Sequence, residues 1–102
     1  MLDKQIIVLN NEQFYATYTA LSVAFFTFKD ETILRHIERL ETYFETFSEN
    51  LDSYVLCLSV EDVELLKSSI DELCLLEKDV SNSELYIDFL NEIKLILTIL
   101  KH

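Results

Sequence analysis

The stretch DETILRHIERLETYFETFSENL, residues 30–51, is the clearest amphipathic segment of this 102-residue chain. Its large apolar residues recur every three or four positions, the spacing of one face of an α-helix. They are Ile33, Ile37, Leu40, Phe44, Phe47 and Leu51. Asp30 precedes the pattern and can accept hydrogen bonds from the free amides of a first helical turn. The stretch therefore predicts a helix over about 31–51 with one buried face.

Three further helices are predicted around this segment. Asn10 with Gln13, and Ser59 with Asp62, have the spacing of a capping box at a helix start, and Ser83 can cap a last helix. The predicted helices span about 11–28, 31–51, 60–77 and 83–101. Together they predict one all-α domain over residues 1–102, a four-helix bundle built from two antiparallel helical hairpins.

The chain contains no glycine and no proline. This excludes the glycine-rich loops that hold phosphates in nucleotide-binding proteins, and it excludes a Gly/Ser or proline linker. Tight turns must then use asparagine or aspartate where the backbone becomes left-handed, and Asn82 is the best candidate for such a helix end. We therefore expect short polar turns between helices.

Two short extended segments, at 5–9 and 54–58, interrupt the helical pattern. When the chain is shifted by 49 residues, each segment is followed by a capping position, a helix, a turn and a helix. One interpretation is a pseudo-twofold repeat in which the two segments pair as a small ribbon. The alternative is that any two amphipathic hairpins can be aligned in this way, and that residues 54–58 simply continue the preceding helix.

Two groups of residues are candidates for binding a partner. The first is a row of acids on the outer face of the helix at 31–51, and it consists of Glu38, Glu41, Glu45 and Glu49, continued by Asp52. Like charges one turn apart destabilise a helix by roughly 0.2–0.5 kcal/mol per pair, so a basic partner would relieve that cost. The second group is aromatic and lies off the main apolar stripes: Tyr15, Phe26 and Tyr43. A solvated acidic face and a bulky core are the alternative interpretations.

The sequence offers little for catalysis or for a metal. His36 and His102 are its histidines, and neither forms the Glu-x-x-His pair of carboxylate-bridged di-iron bundles. Cys57 and Cys74 stand apart among apolar residues, which predicts reduced core cysteines. His36 flanks the apolar stripe and is expected at the boundary of the core. We predict no catalytic residues, no cofactor and no metal.

The net charge of −11 disfavours binding to nucleic acid or to an anionic membrane. No leader pattern or membrane-spanning run is visible, which predicts a cytoplasmic protein. The first functional hypothesis is a protein-binding module that occludes or tethers a protein partner, which could be basic, as an inhibitor, immunity protein or adaptor does. The second is a homodimer with a seam on the first or the last helix, and an enzyme is the third and weakest hypothesis.

Overall fold

The computed structural model describes residues 4–80 and 83–99. Within these residues the elements follow the order β1 (Gln5–Asn10), α1 (Asn11–Thr27), α2 (Glu31–Glu45), β2 (Ser53–Leu58), α3 (Val60–Val80) and α4 (Glu84–Ile99). β1 and β2 form a two-stranded antiparallel sheet. The predicted all-α four-helix bundle is therefore wrong in class, because the extended segments pair with one another and do not join the helices.

The two strands form because their residues alternate between buried and exposed positions, a period of two that a helix cannot satisfy. The inner face faces the core and carries Ile7, Leu9, Tyr54, Leu56 and Leu58. The outer face carries Ile6, Val8, Val55 and Cys57, all exposed. The prediction of core cysteines is therefore wrong for Cys57, whereas Cys74 on α3 is partly buried.

The predicted caps set the starts of the helices. Asn10 Oδ1 accepts from the Gln13 amide at 2.8 Å, and Gln13 Oε1 accepts from the Asn10 amide at 2.9 Å. Ser59 Oγ accepts from the Asp62 amide at 3.1 Å, and Asp62 Oδ2 accepts from the Ser59 amide at 3.0 Å. Asp30 Oδ1 accepts from two amides in the first turn of α2. Both capping boxes and the Asp30 cap are thus confirmed.

The end of α2 differs from the prediction: the helix ends at Glu45 and not near residue 51. The hydroxyl of Thr46 donates to the carbonyl oxygen three residues back, which closes the last turn. Asn50 then adopts a positive φ of 61°, a left-handed conformation that asparagine tolerates better than most residues. The apolar spacing continues through Phe47, but the backbone has already left the helix.

The other helices lie close to their predicted ranges. α3 continues to Val80, three residues beyond the expected end, and α4 begins at Glu84 after the Ser83 hydroxyl accepts from the Tyr86 amide at 3.3 Å. The left-handed end predicted at Asn82 and the end of α4 at 101 lie outside the described residues.

α1 lies at the centre of the molecule and packs against α2, α3, α4 and β1. This position explains its uncharged sequence between Glu12 and Lys29, because most of its surface is covered. α4 packs against α3 through a core row that consists of Leu90, Ile93 and Leu97. The inner face of the sheet completes the same core.

The order of elements repeats at the offset of 49 residues seen in the sequence. β1, α1 and α2 correspond to β2, α3 and α4, and each unit begins with a strand that leads into a capping box. The register of the sheet places Ile7 opposite Leu56, its own counterpart 49 residues later. A twofold axis that relates the two units would therefore pass through this residue pair.

Candidate partner-binding site

The structure separates the five acids of the predicted row. Glu38 lies exposed on α2, whereas Glu41 and Glu45 turn toward α1. Glu49 and Asp52 lie in the connection between α2 and β2, because the helix ends at Glu45. The acids therefore do not form a continuous outer face, and a docking strip along one helix is not the geometry observed.

A cleft between α1 and the end of α2 brings part of the predicted set together. It has a volume of about 310 Å³. We call it the acidic aromatic cleft and define it by its lining residues, which are Phe14, Tyr15, Tyr18, Phe44, Glu45, Phe47 and Glu49. Tyr15, Glu45 and Glu49 were predicted as partner-binding residues, whereas the other four were assigned to apolar stripes.

The floor of the cleft is a packed set of aromatic rings. The Phe14 ring stacks on the Tyr54 ring, with centroids 3.8 Å apart, and on the Phe44 ring at 4.8 Å. Phe47 meets Phe14 edge to face at 5.6 Å, and Tyr15 meets it in the same way at 5.3 Å. Stacked and edge-to-face ring pairs stabilise such a cluster by about 0.5–1.5 kcal/mol per pair beyond their burial, so the floor of the cleft is well packed.

Tyr18 and Glu45 join the two helices that form the walls. The Tyr18 hydroxyl donates a hydrogen bond to Glu45 Oε2. This bond, followed by burial and by the negative charges of Glu45 and Glu41, raises the pKa of Tyr18 to about 12. Glu45 is otherwise exposed, so its carboxylate is oriented by α1 while remaining open to solvent.

Glu41 lies one turn before Glu45 and is partly buried. Its carboxylate accepts from the Ser22 hydroxyl at 3.2 Å. Burial raises the pKa of the Glu41 carboxyl; the bond from Ser22 opposes this, and the charges of Glu45 and Glu38 add to it. Glu41 therefore adds negative potential behind the cleft without lining it.

Glu49 is held at the rim of the cleft by a fixed turn and not by a helix. The Tyr54 hydroxyl accepts from the Leu51 amide at 3.0 Å and donates to the Ser48 carbonyl oxygen at 3.1 Å, so it holds the backbone on both sides of Glu49. Asn11 Nδ2 also donates to the Leu51 carbonyl oxygen at 3.1 Å. Since Tyr54 stacks on Phe14, the same ring supports both the floor and the rim.

The remaining aromatic candidates lie elsewhere. Phe26 is 83% exposed near the end of α1, in edge contact with Phe25. Tyr43 is partly buried on α2, and its hydroxyl accepts from the Cys57 amide at 3.0 Å, which ties α2 to β2. Neither residue lines the acidic aromatic cleft, and Tyr43 has a structural role in the contact it makes.

The four lining residues that the sequence analysis placed in the core carry a partial signal. All four are bulky: Phe14 and Tyr18 lie on α1, Phe44 lies on α2, and Phe47 follows the end of α2. An excess of rings over what one seam can hold predicts that some reach a surface, but not which. Their grouping around one cleft depends on the end of α2 and on Tyr54, which no spacing rule reveals.

A second polar group joins α2 to α3. His36 Nε2 lies 2.7 Å from Asp62 Oδ1, and both side chains are largely buried. Burial alone would raise the pKa of the Asp62 carboxyl, but hydrogen bonds from His36 and Ser59 outweigh it and hold the pKa below its usual value. Because Asp62 also completes the cap of α3, the pair has a structural explanation.

Among residues 4–80 and 83–99, no group of three or more His, Cys, Asp or Glu side chains is arranged to hold a metal ion. No helix in that part of the chain has both the length and the apolar character needed to cross a membrane. Protein-family models, curated proteins and solved structures were compared with the chain, and none matches it. The cleft thus combines two carboxylates with aromatic rings, the two kinds of group that attract a cation.

Proposed function

We propose that this protein is a non-enzymatic binding module whose acidic aromatic cleft accepts a basic side chain of a protein partner. When the partner's side chain fills the cleft, this protein occludes or tethers the partner, as an inhibitor, an immunity protein or an adaptor does. The single observation that carries the proposal is the cleft itself, which Glu45 and Glu49 line together with the rings of Tyr15, Tyr18 and Phe47. We further propose that the protein acts in the cytoplasm and that it does not bind nucleic acid.

A basic side chain suits this cleft for two physical reasons. A lysine or arginine head within about 6 Å of a ring centroid gains about 0.5–1 kcal/mol at exposed sites and about 2 kcal/mol when desolvated. The two carboxylates add charge-assisted hydrogen bonds, and arginine can engage a carboxylate with two parallel bonds. The net charge of −11 also steers a basic partner to the surface, and salt screens that attraction.

The test compares charge reversal inside and outside the cleft. Glu45→Lys with Glu49→Lys reverses both cleft carboxylates, and Glu38→Lys with Asp79→Lys makes the same charge change on exposed acids elsewhere. Each folded variant is immobilised, partners are captured from the native cell at low and high salt, and affinities are then measured with the purified partner. We expect a basic partner whose affinity falls at least tenfold only with the cleft variant.

Equal binding by both variants would contradict the proposal. So would a partner that binds independently of salt and has no basic segment. Circular dichroism and urea unfolding of both variants exclude loss of the fold as the cause.

Self-association is the second candidate function, and one observation favours it. The outer face of the sheet carries Ile6, Val8 and Val55, each more than half exposed, and the residues of β1 and β2 themselves are uncharged. Two copies could meet there through these apolar side chains. The helix seam predicted from the sequence has less support, since the core row of α4 is already covered. A monomer in sedimentation at millimolar concentration would contradict this candidate.

A further inference from the structure

A second cavity borders the acidic aromatic cleft, and the two share one wall. This cavity, which we call the α1–α4 groove, has a volume of about 490 Å³. Its lining includes Glu12, Ala16 and Thr19 from α1 with Tyr86 and Phe89 from α4. Tyr15 lines both cavities, so its partly exposed ring stands between them.

The chemistry of the groove differs from that of the cleft. Tyr86 and Phe89 present two partly buried rings with centroids 6.1 Å apart, and Ala16 leaves space opposite them. Among the described residues, the charged side chain that lines this groove is that of Glu12. The groove therefore fits an apolar side chain, with room for a basic segment to pass Glu12.

We propose that one extended segment of the partner crosses α1 over Tyr15, with a basic side chain in the acidic aromatic cleft and an apolar side chain in the α1–α4 groove. This inference rests on the proposed function, because it takes the cation in the cleft as given. It adds a second anchor and fixes the spacing between the two. The shared wall and the matching charge of both cavities carry it.

Helix geometry sets the spacing. At about 100° per residue, the α1 residues of the cleft centre roughly 80° to one side of Tyr15, and the α1 residues of the groove centre roughly 40° to the other side. On a helix about 10–12 Å wide, the resulting arc of roughly 120° is on the order of 10–13 Å long. An extended chain covers about 3.3 Å per residue and its side chains alternate between two sides, so two anchors on the same side lie about four residues apart.

The experiment uses the full chain labelled with nitrogen-15 and synthetic peptides as probes. The first peptide has arginine and leucine separated by three serines, and the others replace arginine by citrulline, replace leucine by alanine, or make arginine and leucine adjacent. We expect the first peptide to shift amide signals around both cavities. Replacing the leucine or removing the spacer is expected to weaken binding about tenfold, the loss of one well-buried apolar anchor.

Two protein variants form a matched pair for the groove. Thr19 lines the groove and Thr27 does not, and both are exposed on α1 with hydroxyls that donate to the carbonyl oxygen four residues back. Thr19→Trp fills the groove, so we expect it to weaken the leucine peptide about tenfold and to leave the alanine peptide unchanged. Thr27→Trp is expected to change neither.

The outcomes separate the two proposals. If the arginine peptides shift only the cleft signals, or if Thr19→Trp binds the leucine peptide as well as Thr27→Trp does, the two-anchor inference is wrong and the cleft proposal stands. If citrulline binds as well as arginine in every peptide, the cation in the cleft is wrong, and the inference is wrong with it.

Discussion

The two strand–helix–helix units place different side chains at corresponding positions between their helices. In the second unit, Lys94 of α4 forms an ion pair with Asp71 of α3. The counterparts 49 residues earlier are Glu45 and Ser22, and Glu45 bonds the phenol of Tyr18 instead of a base. In the second unit the charges of the two contacting side chains therefore cancel. In the first unit a carboxylate charge remains beside aromatic rings. Similar backbones therefore give a closed contact in one unit and a candidate binding site in the other.

The capping boxes show a second contrast. Gln13 completes the box of α1, and its counterpart Asp62 completes that of α3. Asp62 alone also reaches another helix, through His36 of α2. The capping residue of the first unit makes only local contacts, whereas that of the second unit also links two helices. Equivalent substitutions should therefore lower the free energy of unfolding by different amounts.

The largest difference is expected in the core. Phe14→Ala removes a ring stacked on two others and should lower the free energy of unfolding by about 3–5 kcal/mol. Its counterpart Val63→Ala removes only two methyl groups and should cost about 2 kcal/mol. Urea unfolding measures both values, with Phe14→Leu as a milder variant if the alanine variant does not fold. If the two variants lowered the free energy of unfolding equally, the stacked rings would contribute no stability beyond their burial.

The caps give the next difference. Asp62→Ala leaves the Ser59 amide and His36 without their partner and should cost about 2–3 kcal/mol, whereas Gln13→Ala should cost about 1 kcal/mol. The pKa of Asp62 is lowered in the fold, so its stabilisation is present above its usual value of 3.8 and is lost as pH falls through the folded pKa. The gap between wild type and Asp62→Ala should therefore narrow in acid. A gap that widens below pH 3 would contradict this.

The hydrogen bond between Tyr18 and Glu45 is tested by titration. Glu45→Gln replaces the carboxylate, whose hydrogen bond and then whose charge raise the pKa of Tyr18, by a neutral amide, so this pKa should fall from about 12 toward 10. Ring signals in an NMR titration report it. Glu49→Gln, on the rim of the same cleft, serves as control and should leave the pKa of Tyr18 where it is in the wild type.

The smallest expected effect is at Glu41. Since its pKa is raised in the fold, its stabilising contribution is present in acid and is lost as pH rises through the folded pKa. Glu41→Gln should therefore raise the free energy of unfolding at pH 7 by about 0.2–0.5 kcal/mol, and the gain should vanish near pH 3. Glu38→Gln is the control at an exposed position. A loss of stability at pH 7 would mean that the bond from Ser22 outweighs burial.

Much of the fold could be predicted because the relevant interactions are local. Asn10, Asp30 and Ser59 cap their helices through amides two or three residues away, and such contacts are legible in sequence. The strands could be predicted as extended segments from their own residues. Their pairing could not, because it joins residues about 50 positions apart. The all-α prediction failed at that point, since a strand counts as a strand only when a partner satisfies its backbone.

The candidate site was predictable only in composition. Acids and surplus aromatic rings near Tyr15 and Glu45 indicated a binding surface, but a helical spacing extended too far placed Glu49 on α2. The turn that ends α2 depends on the Tyr54 hydroxyl, which arrives from β2. Phe26 and Tyr43 were chosen by the same spacing argument, and the packing of α1 and α2 directs them away from the cleft.

By itself, the sequence determined the starts of the helices, the acidic charge and the absence of glycine loops, because each depends on residue type or on neighbours within one turn. Only the tertiary structure decided that two extended segments pair, that α2 ends at Glu45, and that rings from α1 and α2 surround one acidic cleft. These features depend on contacts between distant parts of the chain. Their free energy comes from packing and from backbone hydrogen bonds that no single segment can supply.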